Sequence, residues 1–222
     1  MSLILYDYFR STACYRVRIA LNLKKIAYEK IEVHLVNNGG EQHSLQYHQI
    51  NPQELVPSLD INGQILSQSM AIIDYLEEIH PEMPLLPKDP FMKATLKSMA
   101  LIVACDMHPL NNLRVLNRLK EQFNANEEQV LEWYHHWLKT GFDAFEEKLG
   151  ALERDKPVCF GSEVGLADVC LIPQVYNAHR FHFDMASYPI INEINEYCLT
   201  LPAFHDAAPE AISSEGHHHH HH

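Results

Sequence analysis

The chain opens on a short apolar and aromatic run, LILYDY (residues 3–8), of the length and composition of a strand. From Thr12 to Lys25 the pattern changes period. Val17, Ile19, Ala20, Leu21 and Leu23 form an apolar side, Arg16, Arg18, Lys24 and Lys25 supply charge, and the spacing predicts a helix. Ser11 or Thr12 suits its N-cap, and basic residues favour its end. Tyr28 to Leu35 (YEKIEVHL) alternates apolar and polar, as a half-buried strand does. VNNGGEQHS (36–44) is a loop by composition, and INPQ (50–53) is a turn. VPSLDINGQIL (56–66) predicts a hairpin about Asn62-Gly63. SQSMAIIDYLEEIH (67–80) starts on a cap residue and runs at helical spacing through Met70, Ile73, Tyr75 and Leu76.

HPEMPLLPKDP (80–90) holds Pro81, Pro84, Pro87 and Pro90, a stiff, helix-breaking stretch that marks a domain boundary. Everything beyond it reads as helical. Residues 91–123 form one or two long helices with a kink at Pro109, and Glu127 to Glu153 form another. Leu166 to Arg180 is strongly apolar and expected to be buried, and Tyr188 to Leu199 closes the bundle. The pattern therefore predicts a small α/β domain over residues 1–82, a linker over 83–90 and an all-α bundle over 91–212. EGHHHHHH (215–222) reads as an expression tag.

Composition narrows this picture in three ways. At 46% hydrophobic and 21% charged, the 222 residues suit an ordinary globular protein with a sizeable core. The formal charge of −12 argues against nucleic acid or an anionic membrane as a partner. No apolar run reaches the roughly 18–20 residues that span a bilayer. The N-terminus lacks the order of a secretory signal. The five cysteines (Cys14, Cys105, Cys159, Cys170, Cys198) are odd in number and scattered. That spacing argues against a disulfide framework or a zinc site and for reduced thiols in the cytoplasm.

Candidate chemistry concentrates in RSTACYRVRIAL (10–21), where two hydroxyls and a thiol fall within four residues at the predicted helix start. On their residues alone, Ser11 and Thr12 read equally well as caps, and Cys14 as a buried small apolar residue. This stretch resembles the start of the first helix in the zeta class of glutathione transferases. That class carries Ser-Ser-Cys there, then an aromatic and an Arg-Val-Arg-Ile-Ala-Leu run. NPQELVPSLDING, SQSMAIIDYLEE, LLPKDP, PLNNLRVL, GLADVCLIPQVYNAHRF and YPIINEIN extend the resemblance in order over about residues 4–205.

The resemblance implies a thioredoxin-like N-terminal domain, an all-α C-terminal domain and a homodimer, with glutathione as cofactor and no metal. It gives Ser11, with Thr12 beside it, the task of stabilising the glutathione thiolate. Val56 and a cis Pro57 would meet the cysteinyl backbone, as an added strand does. Gln68 and Ser69 would hold the γ-glutamyl carboxylate at a helix start, and Gln42 would reach the glycyl end. On the substrate side, Arg180 would bind a carboxylate with its planar fork, and Arg16 would assist, although Arg16 and Arg18 equally suit a solvated helix face. His108 and Asn112 match positions that line the cofactor site. The class's cysteine position is Ala13 here. Cys14, one residue on, is turned by about 100° around the helix and is expected to be a bystander, so a side reaction that needs the class's thiol is in doubt. Asp168 matches a helix-capping carboxylate, but Gly165 stands where Ser or Thr would complete a reciprocal capping box.

The implied activity is glutathione-dependent cis–trans isomerisation of a small dicarboxylic diketo acid, maleylacetoacetate, in tyrosine and phenylalanine breakdown. Three other readings stay open on sequence: the same chemistry on maleylpyruvate, broader glutathione conjugation or α-haloacid dehalogenation, and a transferase-like binding protein without catalysis.

Overall fold

The computed structural model describes residues 1–213, so the tag assigned to 215–222 lies outside the described residues. The chain divides into two compact units, each taken by itself below.

The first unit begins with β1 (Leu3–Asp7), α1 (Thr12–Leu23) and β2 (Glu29–Glu32). The expected strand over 28–35 is thus only four residues long. A loop with two 3-10 turns follows, then a short helix, α2 (Leu45–Ile50), which the sequence pattern does not predict. Six residues are too few for a 3.6-residue period to show. The hairpin forms as expected from β3 (Ser58–Ile61) and β4 (Gln64–Ser67). Asn62 and Gly63 both have positive φ (53° and 90°), and the Gly63 N–H donates to Asp60 Oδ1 at 2.7 Å. α3 (Ser69–Ile79) completes this part. The sheet order is β2-β1-β3-β4, with β1 parallel to β2 and antiparallel to β3. A four-stranded mixed sheet with this order is the expected thioredoxin-like arrangement.

The second unit spans Leu85–Thr200. It holds α4 (Pro90–Asp106), α5 (Leu113–Phe123), α6 (Glu127–Gly150), α7 (Leu166–Arg180) and α8 (Pro189–Thr200). Pro109 does more than kink one long helix. It sits in a 3-10 turn, His108–Asn111, that separates α4 from α5. α7 runs over the predicted residues, and most of its side chains are buried. Asp168 caps it as expected: Oδ2 accepts from the Gly165 N–H at 2.9 Å and Oδ1 from the Cys159 N–H at 3.0 Å. The missing half of the capping box has a steric cause. A Cβ on Gly165 would meet the Leu85 carbonyl oxygen, which accepts a hydrogen bond from Leu166 N–H at 2.8 Å.

The structure corrects the expected boundary of the helical domain at 212. Residues 201–213 belong to the first unit, in α9 (Pro202–His205) and α10 (Pro209–Ile212). Two side chains of α1 account for this: Asn22 Nδ2 donates to the Ala203 carbonyl at 3.0 Å, and Arg18 Nε to the Ala207 carbonyl at 3.0 Å.

The charged side expected for α1 is also corrected. Arg16, Arg18 and Lys24 are buried, each with partners. Arg18 pairs with Asp7 at 2.7 Å and donates to the Phe9 carbonyl at 3.0 Å. Lys24 meets Glu77 at 2.6 Å and the carbonyls of His80 and Met83 at 2.8 and 2.9 Å, which ties the end of α1 to the end of α3. Buried charges persist only when paired and hydrogen-bonded in this way.

Candidate active site

Strand register gathers the candidate residues of the first unit. Asp7, the last residue of β1, pairs with Glu32, the last of β2. Tyr6 pairs with Ser58, the first residue of β3, and Ser58 pairs with Ser67, the last of β4. The segments beyond these pairs therefore leave the sheet at one end. They carry Ser11 and Thr12, Gln42, Val56 and Pro57, and Gln68 and Ser69. Residues as far apart in sequence as Ser11 and Ser69 are brought to one edge by backbone pairing alone.

Ser11 is the N-cap of α1, and its Oγ accepts the Cys14 N–H at 3.2 Å. That bond uses a lone pair, so the hydroxyl keeps a proton to donate, and the Cys14 thiol is one group within its reach. Thr12 is only 2% exposed, and its Oγ1 has no hydrogen-bond partner among the described residues. A buried hydroxyl left so costs about 1–3 kcal/mol, so an acceptor is needed there. The α1 N-terminus adds positive potential. Glutathione's thiolate fits these features: it accepts hydrogen bonds from hydroxyls and gains from the helix end.

Cys14 does not compete for the role. It is fully buried, and burial together with the Asp7 carboxylate pushes its thiol up to about 12. A thiol so poised is neutral and unreactive near pH 7.

The Val56–Pro57 peptide is cis, and neither the Val56 N–H nor its carbonyl bonds to another described residue. The loop before it is held from behind. Tyr47 Oη donates to the Leu55 carbonyl at 2.6 Å and lies 2.9 Å from Ser58 Oγ, and Asn51 Nδ2 donates to the same carbonyl at 2.9 Å. His43 and His48 each place Nδ1 2.7 Å from the Glu54 carboxylate, and these contacts lower the Glu54 pKa. α2 thus serves as a bracket for the strand-like edge at Val56. Gln42 folds inward at 8% exposure, its Oε1 without a partner among the described residues. The same loop walls a separate cavity of about 540 Å³ between Tyr6, Val33, Tyr47 and Ile50, which none of the candidate residues lines.

The start of α3 differs from expectation. Its N-cap is Gln68, with no side-chain cap and φ at 75°. Gln68 Nε2 instead donates to Gln53 Oε1 at 2.8 Å. Ser69, 5% exposed, accepts at Oγ from Arg16 Nη1 at 3.1 Å. Arg16 is itself 2% exposed, so it is not a solvated charge on the helix face but lies packed against the α3 start.

In the second unit, His108 opens the 3-10 turn and Asn112 is the backbone N-cap of α5. Arg180 is the last residue of α7, exposed, and in no ion pair among the described residues. Its guanidinium lies 5.1 Å from the centre of the Phe181 ring. Phe181 stacks on Tyr134 (4.1 Å, 21°), and His135 Nε2 meets the Phe181 carbonyl at 2.7 Å. Asn111 Nδ2 donates to the Tyr134 carbonyl at 3.1 Å, so Tyr134 links the turn that carries His108 and Asn112 to the end of α7. The supporting residues Gln53, Glu54, Tyr47 and Tyr134 have no local signal in the sequence, because each acts only through a partner brought near by folding.

Residues 5–84 match the family model for the glutathione S-transferase N-terminal domain. A probable maleylacetoacetate isomerase of Vibrio cholerae serotype O1 is 48% identical over 211 residues, 95% of this chain and 97% of that protein. A solved glutathione S-transferase from Legionella pneumophila is 90% identical, with TM-score 0.85, covering 95% of this chain and 100% of that one. The holo structure of a maleylpyruvate isomerase, a bacterial zeta-class glutathione S-transferase, is 42% identical, with TM-score 0.92, covering 95% and 99%.

Proposed function

The chain belongs to the zeta class of the glutathione S-transferase family, and from that membership we infer that it is a glutathione-dependent isomerase converting maleylacetoacetate to fumarylacetoacetate. The observation that carries this reading is the hydroxyl pair at the start of α1: Ser11 has a proton to give, and Thr12 Oγ1 is buried without a partner among the described residues.

Glutathione, held by Ser11, Thr12, Gln42, Val56 and Ser69, would supply when bound a sulfur nucleophile for reversible conjugate addition, the chemistry that permits cis–trans isomerisation without consuming the thiol. The chain's own residues make this possible at neutral pH. Ser11 O–H donates to the sulfur, Thr12 offers a second hydroxyl, and the α1 end favours the anion, so the thiol pKa falls from its ordinary value of about 8.5. Val56 N–H and C=O pair with the cysteinyl residue. Ser69 and the Gln68 backbone hold the γ-glutamyl carboxylate, and Gln42 takes the glycyl end. Arg180 takes a substrate carboxylate, with His108 and Asn112 on the same unit.

Purified protein with glutathione is expected to isomerise maleylacetoacetate with multiple turnovers and no net loss of thiol. Absence of turnover in a correctly folded sample overturns the assignment. Maleylpyruvate is the second reading, favoured by the 42% identity to an isomerase of that name. The ratio of kcat/KM on the two substrates decides between them. The homodimer that the class resemblance implies belongs to the same proposal and is checked by sedimentation. A cytoplasmic location is supported by five cysteines that form no disulfide.

A further inference from the structure

We propose that Arg16 is a positioning residue for glutathione, acting through Ser69 to recognise the γ-glutamyl carboxylate, and is not a substrate-binding arginine. The inference rests on the glutathione reading above.

The reasoning starts from hydrogen-bond polarity. A guanidinium has five N–H donors and no acceptor. Its bond to Ser69, Nη1 to Oγ at 3.1 Å, is therefore one-way: the Ser69 oxygen accepts. The Ser69 proton must then point away from Arg16. Ser69 is the first residue of α3, where backbone N–H groups also point outward without helix partners. A hydroxyl that otherwise donates or accepts at will is thereby fixed as a donor, alongside other donors. Such a set selects an anion over a neutral polar group.

Charge points the same way. Arg16 is 2% exposed and Ser69 5%, so the guanidinium is screened little by water and its field at the α3 start is strong. The protein as a whole carries −12, so an anionic cofactor needs a local positive source. A positive charge behind a helix N-terminus adds to the helix dipole at that point. Arg16 also lies one turn along α1 from Ser11 and Thr12. One helix thus presents hydroxyls to the thiol end of the cofactor and, through Ser69, a cation to its γ-glutamyl end.

The test compares glutathione with cysteinylglycine, the same thiol lacking the γ-glutamyl group, in Arg16→Gln, Arg16→Lys, Ser69→Ala and the Arg16→Gln/Ser69→Ala double variant. Arg16→Gln is expected to lower kcat/KM with glutathione about tenfold or more, mostly through KM, and to leave kcat/KM with cysteinylglycine unchanged. Arg16→Lys is expected to recover part of the loss. The double variant is expected to lose less than the product of the two single losses. Equal losses with both thiols, multiplicative losses, or an unchanged glutathione KM in Arg16→Gln overturn the proposal. Where Arg16→Gln does not fold, the folded Ser69→Ala variant must show the same discrimination, and the Arg16 guanidinium signal of the unmutated protein must shift with glutathione but not with cysteinylglycine. Failure of either overturns the proposal. A failed glutathione reading looks different, because the unmutated protein then binds neither thiol.

Discussion

The glutathione side and the substrate side are built on opposite plans. In the first unit three candidate groups, Thr12, Gln42 and Ser69, are each under a tenth exposed, and Arg16, Gln53 and Tyr47 bond to Ser69, Gln68 and the Leu55 carbonyl. In the second unit one exposed cation, Arg180, rests on the face of Phe181, with Tyr134 stacked beneath. Fixed donors in a packed setting suit a ligand that never changes. An exposed arginine on an aromatic platform can be re-aimed at little cost to the fold.

Four experiments bear on that contrast, taken from the largest expected effect to the smallest. Arg18→Met leaves Asp7 buried without its partner and removes bonds to the Phe9 and Ala207 carbonyls. It should destabilise the protein by about 3–5 kcal/mol, read by denaturant unfolding. A loss under about 1 kcal/mol would show that the first unit is not braced by buried pairs. Ser11→Ala should lower kcat/KM about a hundredfold, the scale of one lost donor to a catalytic anion. It should also cost about 1 kcal/mol of stability as a lost N-cap. Activity and stability fall together because one oxygen does both tasks, and full activity would dismiss Ser11 as the thiolate donor.

Arg180→Gln should raise the substrate KM about tenfold while leaving the glutathione KM unchanged. Thermal stability should hold to within about 0.5 kcal/mol, as at other exposed sites. A large fall in Tm would erase the contrast, since Arg180 would then be as structural as Arg18. The mildest effect concerns thiols. Iodoacetamide at pH 8 should label exposed Cys105 quickly and spare Cys14, whose thiol is pushed up to about 12. Fast labelling of Cys14, read by peptide mass, would reverse its assignment as a bystander.

The elements legible in sequence were those with a local signature. The Asn62-Gly63 hairpin, the α7 run from Leu166 to Arg180 and the order of strands and helices each follow from nearby residues. The candidate site, from Ser11 to Ser69 and at Arg180, is assigned by the class resemblance and not by any local pattern. Illegible features depend on partners far along the chain. Arg16, Arg18 and Lys24 look like the solvated side of a helix, because nothing near them announces Ser69, the Ala207 carbonyl or Glu77. α2, α9 and α10 are too short to show a period. Gly165 looks like a defect in a capping motif until the Leu85 carbonyl is seen against it.

The return of residues 201–213 to the first unit bears on how the protein is made. A ribosome releases the N-terminal end first. Sheet and α1 can assemble early, but the Arg18 guanidinium is completed by the Ala207 carbonyl, 189 positions later. Until that segment emerges, a growing chain holds its cofactor-binding half with an open seam at α1. Nascent chains stalled before residue 207 should therefore be more open to protease near α1 than chains that include it.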